Sequence, residues 1–158
     1  MIKLKNFIIL TIQLCTIAAQ HQYEHTIAID SKYILYWNYS STNLTARLQL
    51  IGVSPYNTWV SFGITNNGSL EKSDVIVAFL RRGLAPAFID GHFVDDSLVI
   101  QPDILQTWTY LGSATNNTSF YIDFTRYLLL KNIDSDGDIN IVSGTPFISW
   151  AYGFFFAS

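Results

Sequence analysis

The chain has 158 residues, of which 49% are hydrophobic, 15% aromatic and only 13% charged, with a formal net charge of −3. That length allows one domain with a sizeable core, and the apolar richness excludes a disordered chain. No Lys/Arg cluster exceeds Arg81-Arg82, which argues against a nucleic-acid partner.

Lys3 and Lys5 precede an apolar run from Phe7 to Ala19, and Ala18-Ala19 supply small residues at its end. This is the secretory signal pattern, so residues 1–19 are expected to be removed. An uncleaved membrane anchor is the alternative, but the run is shorter than the ~20 residues a bilayer requires. No later segment is long and apolar enough to span a membrane. Cleavage removes Cys15 and Met1, the only cysteine and the only methionine, so the mature chain is expected to enter an oxidising compartment without a disulfide. Loss of Lys3 and Lys5 leaves seven basic against twelve acidic residues, a net charge of −5.

The remainder reads as strands. Tyr33 to Ser40 carries aromatics on alternate positions. Leu44, Ala46, Leu48 and Leu50 alternate with polar residues. A loop through Pro55 leads to Trp59–Thr65, where Val60, Phe62 and Ile64 alternate with smaller residues. Asn66 to Ser69 break that strand with turn chemistry. Val75 to Leu80 is apolar on both faces, which fits a central strand covered on two sides, although a buried helix shares that signature. Pro86 to Phe93 is a further strand, with Phe88, Asp90 and His92 on one face. Leu98–Ile100 is short and stops before Pro102. Trp108–Gly112 and Phe120–Thr125 follow around an Asn116-Asn117 turn. Tyr127–Leu130 reads as one helical turn or a bulged continuation, and Phe147–Phe154 is the last strand. Nine or ten short strands without a convincing helix predict an antiparallel β-sandwich, with Leu48, Phe62, Val75, Val77, Phe79, Phe120, Ile122 and Phe124 buried.

Several pieces carry a family resemblance. They are Phe62-Gly63-Ile64-Thr65, then Gly68 to Val77, then Ile89-Asp90-Gly91-His92, Pro102 and Trp108, Phe124-Thr125-Arg126, and Trp150-Ala151-Tyr152-Gly153. In this order they resemble the DOMON domain, and more narrowly the N-terminal domain of the dopamine β-hydroxylase and DBH-like monooxygenase family. The resemblance covers about Tyr33 to Gly153 and implies an immunoglobulin-like sandwich over 24–154. It also implies that copper chemistry belongs to later domains, which this sequence does not contain. The expectation is a secreted, glycosylated, non-catalytic module with no cofactor of its own, apart from a possible divalent cation. In the family that cation site resembles Asp74, the Val75 backbone, Gly91 and the position of Thr107, where this chain has lost a carboxylate. A family Cys-Asp tether matches Ile133-Asp134 here, so that covalent link is absent.

Other chemistry is sparse. Five sequons place candidate glycans on Asn38, Asn43, Asn67, Asn116 and Asn117. Asn38 falls inside a strand, and Asn116 and Asn117 are too close for two glycans. Asp134-x-Asp136-x-Asp138 lacks the glycine and glutamate of an EF-hand loop, where Ile139 and Thr145 stand. His21 and His25 are expected to fray at the mature N-terminus, and His92 to sit on a surface or partly buried strand. Alternatives to the non-catalytic module are a small-ligand binder, with Trp37, Trp59, Trp108 or Trp150 stacking on sugars, a haem-binding module, or a protein-interaction domain. Haem is disfavoured because relatives that bind it use Met and His as axial ligands.

Overall fold

A computed structural model describes residues 23–154, apart from positions 55, 67, 70, 72, 82–83, 95–98, 130–137 and 142–146. The signal segment at 1–19 and the sequon at Asn67 lie outside the described residues. So do the Ile133-Asp134 pair and the first two aspartates of the Asp134 loop.

Ten strands form: β1 His25–Ala28, β2 Tyr33–Tyr39, β3 Asn43–Ile51, β4 Thr58–Thr65, β5 Asp74–Leu80, β6 Ala87–Phe93, β7 Ile100–Pro102, β8 Thr109–Thr115, β9 Ser119–Tyr127 and β10 Phe147–Phe154. They make two five-stranded antiparallel sheets, ordered β1-β2-β3-β9-β8 and β10-β4-β5-β6-β7. Among the described residues no helix is long and apolar enough to cross a membrane.

Side-chain alternation along each strand decides what the sheets bury between them. Leu35 of β2, Leu48 and Leu50 of β3, Phe120, Ile122 and Phe124 of β9 come from the first sheet. Val60, Phe62 and Ile64 of β4, with Ile76, Ala78 and Leu80 of β5, come from the second. Trp108 stands edge-on to Phe62 and Phe124, with centroids 5.9 and 5.1 Å away.

The two-faced apolar character of β5 is explained by its place between β4 and β6. Its odd positions, Val75 and Val77, form a small second cluster with Phe93, against which Trp59, Phe79 and Ile100 pack. Phe79 is only half-buried, unlike the other seven residues expected in the core.

Three other local readings change. β7 runs through Pro102 rather than stopping before it, because Pro102 sits opposite Gly91 at a sheet edge, where no amide is required. Of the two readings of Tyr127–Leu130, continuation of the strand rather than a helical turn applies at Tyr127, which closes β9. His25 is not frayed: it pairs with Trp37 in β1 and stacks on both Trp37 and Tyr39, at 5.3 and 5.5 Å.

Candidate functional site

Alternation places charged residues inside the sandwich at one end. Asp74 precedes Ile76, Ala78 and Leu80 on the inner face of β5. Arg126 follows Phe120, Ile122 and Phe124 on the inner face of β9. Both are essentially inaccessible. Burying an unpaired charge is prohibitive, so each must be answered locally.

The answer is complete for this pair. Arg126 Nη1 donates to Asp74 Oδ2, which also accepts the Ile139 amide at 3.0 Å. Trp108 Nε1 donates to Asp74 Oδ1 at 2.7 Å. Arg126 Nη2 donates to the Ile139 carbonyl at 2.6 Å, and its guanidinium lies 4.8 Å from the Trp108 ring centroid. The loop residue Ile139 is held beside β9 because Ile141 donates its amide to the Leu128 carbonyl at 2.8 Å.

A second acidic group lies next to it, on β6 and the loop after β7. Asp90 and His92 share the inner phase of β6, and His92 sits opposite Asp74. Asp90 Oδ2 accepts the amides of Thr107 at 2.5 Å and Trp108 at 2.9 Å. Asp103 Oδ1 lies 2.6 Å from His92 Nδ1. The loop is tied down by the Asp103 amide on the Asp90 carbonyl at 3.0 Å. Gln106 Nε2 reaches the carbonyls of Asp90 and Asp103 at 3.3 and 2.9 Å. Thr107 Oγ1 donates to Asp138 Oδ1 at 3.1 Å. His92 is thus on a strand as expected but buried, at 6% exposure, rather than at the surface or partly buried.

Two carboxylate oxygens remain bare. No hydrogen-bond donor among the described residues reaches Asp90 Oδ1 or Asp103 Oδ2, and both are fully shielded from solvent. Burial pushes the Asp90 carboxyl up to about 7, with the charges of Asp74 and Asp103 adding to the rise and the Trp108 and Thr107 amides opposing it. Burial also raises Asp103, against the pull of His92.

The family-implied cation set can be tested on this geometry. Asp74, Val75, Gly91 and Thr107 do converge on this end: Val75 sits opposite Gly91, and Asp74 heads β5. Yet both Asp74 oxygens are taken by N–H donors, one of them a guanidinium. Thr107 brings a hydroxyl that donates to carboxylates rather than a charge. Those side chains do not fit a cation. Gly91 has a structural reason of its own: a Cβ there would meet the Gln101 carbonyl oxygen at 2.3 Å, so only glycine lets β7 approach β6.

Sequence reasoning missed the linkage of Asp74 to Arg126, although both break an apolar inner-face alternation with opposite charges. It placed Asp90 and His92 on one face of a strand but gave neither a partner. The described sequons scatter elsewhere. Asn38 is half-buried in β2, with Oδ1 accepting the Glu24 amide at 2.5 Å. Asn43 opens β3. Asn116 and Asn117 are exposed in the β8–β9 turn, where Asn116 Oδ1 accepts the Thr118 and Ser119 amides at 2.9 and 2.8 Å. Of the four tryptophans, Trp108 is buried, Trp37 and Trp59 are half-buried, and Trp150 is 40% exposed.

The architecture recurs among solved structures. It matches the cytochrome domain of Myriococcum thermophilum cellobiose dehydrogenase with a TM-score of 0.61 and 13% identity, over 82% of this chain and 68% of that one. At that identity the likeness concerns the fold alone, a DOMON-type sandwich. The sequence itself matches the DOMON domain model across residues 29–153, and the chain belongs to that family. The mouse DBH-like monooxygenase protein 1 is 25% identical over 132 residues, which is 82% of this chain and 20% of that protein. The chain therefore spans about a fifth of the length of the curated relative it matches.

Proposed function

We propose that this chain acts as a secreted, glycosylated and non-catalytic DOMON module, of the kind found at the N-terminal end of copper-dependent DBH-like monooxygenases. The observation that carries the reading is that the arginine and the histidine described in this core are each committed to a carboxylate. Arg126 is locked to Asp74, and His92 is turned onto Asp103, inside the packed sandwich. Copper chemistry needs imidazole or thioether ligands open to metal and substrate. Of the three histidines, His92 is paired in the core and His25 is stacked between Trp37 and Tyr39. The similarity to the mouse relative falls on the DOMON portion, and the family's copper ligands belong to other domains.

The test is to load the purified chain with copper and supply ascorbate, oxygen and tyramine. Product at the level given by free copper is expected. Product above it that is lost in His92→Ala would overturn the reading. Secretion and glycosylation are checked by expression in a secretory host: glycosidase treatment should increase gel mobility, and the double substitution Asn116→Gln with Asn117→Gln should remove one step of that shift.

A second reading, sugar binding, is favoured by one observation. Trp150 is half-exposed on the edge strand β10, with Tyr152 beside it at 6.4 Å and nearly parallel. Quenching of tryptophan fluorescence by a soluble glycan, lost in Trp150→Ala, is the outcome that reading requires. For the haem alternative, a visible absorption spectrum of the purified chain is decisive.

A further inference from the structure

The outer amides and carbonyls of an edge strand have no partner in their own sheet, and folds normally blunt such edges. Three of the four edge strands here are blunted. β1 has only four residues, β7 has three and carries Pro102, and the register of β8 slips at a bulge between Tyr110 and Gly112. β10 is the exception. It runs for eight residues, Phe147–Phe154, with no proline and no charged side chain. Among the described residues it pairs with β4 alone. Its inner phase is also uncovered. Ile148, Trp150 and Phe154 stand opposite Ile64, Phe62 and Thr58, on the face that β4 buries, yet they are 49, 40 and 53% exposed.

The layering explains the exposure. β2 lies over β10, with the Tyr33 ring 5.3 Å from that of Trp150 and 6.3 Å from that of Tyr152. β1 continues the first sheet one strand beyond β2, whereas the second sheet stops at β10. β1 therefore overhangs a space one strand wide, and Ile27 on its inner phase, opposite Leu35, is left 49% exposed. We propose that this slot is a docking site for one extended segment of another protein, added to the second sheet beside β10 and beneath β1. The edge selects backbone, because an extended polypeptide answers a row of unpaired N–H and C=O groups. Apolar side chains at every second position of the segment meet Ile27, Ile148 and Trp150. Basic flanks suit a chain of net charge −3 whose β1 is flanked by Glu24 and Asp30. A second copy does not fit the slot. Pairing β10 with the β10 of another copy about a two-fold axis would drive each β1 into the other copy's β2, in the same layer. Docking here does not depend on whether the chain catalyses anything.

The experiment is amide hydrogen exchange of the purified chain with a synthetic peptide that alternates valine and threonine over the length of β10 and ends in lysines. At about ten times the dissociation constant, the edge amides of β10 should exchange about tenfold more slowly, while those of β7 and β8 are unchanged. Trp150 fluorescence should shift to the blue with the same saturation. Exchange is the decisive readout, because a glycan stacked on Trp150 would leave those amides unprotected. The same peptide N-methylated at alternate residues keeps its side chains but loses donors, and should protect nothing. Ile148→Lys puts a charge into the slot from a position already half exposed. This variant should unfold thermally like the unmodified chain and fail to bind the peptide. Absence of β10 protection by the unmethylated peptide would overturn the proposal, as would equal protection by the N-methylated one. A dimer that forms without peptide and is lost in Ile148→Lys would assign the edge to a second copy and overturn it as well.

Discussion

Two acidic groups lie within one end of the same sandwich and are treated oppositely. Around Asp74 both oxygens are met, by a guanidinium, an indole N–H and a main-chain amide. Around Asp90 and Asp103 one oxygen of each is met and the other has no donor among the described residues. A fully satisfied buried ion pair is a structural device, costly only when one partner is removed. A half-satisfied carboxylate pair costs stability as it stands, and such sites are where binding functions tend to reside. The outer face offers a third case for scale. Arg47 holds Asp123 through two bonds of 2.6 and 2.8 Å as a direct cross-strand pair, with the Tyr121 ring 3.7 Å from its guanidinium carbon.

Removing one partner of the satisfied pair gives the largest expected effect. Arg126→Met should destabilise the fold by about 3–5 kcal/mol, because Asp74 is left buried and unpaired. Adding Asp74→Asn to that variant should recover part of the loss, since the stranded charge disappears. Denaturant unfolding of the two single variants and the double variant measures this coupling. A double variant as unstable as the sum of the singles would show that the pair does not act as a unit.

A smaller effect is expected at the contact between the two groups. Gly91→Ala forces a methyl group against the Gln101 main chain, and should cost about 1–3 kcal/mol of overpacking. The displaced β7 carries Asp103 with it. The coupling of Arg126 to Asp74 should be retained in this variant.

Much of the fold was legible because alternation is a local property. Leu44 to Leu50 and Phe120 to Phe124 declare their faces within a few residues, and the turn chemistry at Asn66 and Asn116 marks where they stop. β1 was not legible: His25–Ala28 is four residues with little apolar pattern, and it exists because Trp37 and Tyr39 offer stacking partners to His25. Half of the buried polar end had a signal. Asp74 and Arg126 continue the inner phases of β5 and β9, and their opposite charges could have been joined on that ground. Asp103, Gln106 and Thr107 had none, since they lie in a loop where periodicity says nothing and only tertiary contacts bring them to Asp90.

The contrast between the two groups makes a prediction of opposite sign within one experiment. The Asp90 carboxyl ionises near 3.8 in the unfolded chain and is pushed up to about 7 in the fold. The folded state holds that proton more tightly, so its contribution to stability is fully present below about pH 4 and is lost as the pH rises through about 7. In chelator at pH 8, Asp90→Asn removes a buried unanswered charge and keeps an acceptor for the Thr107 and Trp108 amides. Asp74→Asn instead strands Arg126. The most direct measurement is unfolding free energy for both variants and the unmodified chain, in chelator, at pH 8 and pH 4. The expected result is that Asp74→Asn is less stable by about 3–5 kcal/mol at pH 8. Asp90→Asn should be more stable there by about 1–3 kcal/mol, an advantage that vanishes by pH 4. Asp90→Asn that is destabilised at pH 8 as much as Asp74→Asn would contradict the division of this buried end into a satisfied and an unsatisfied half.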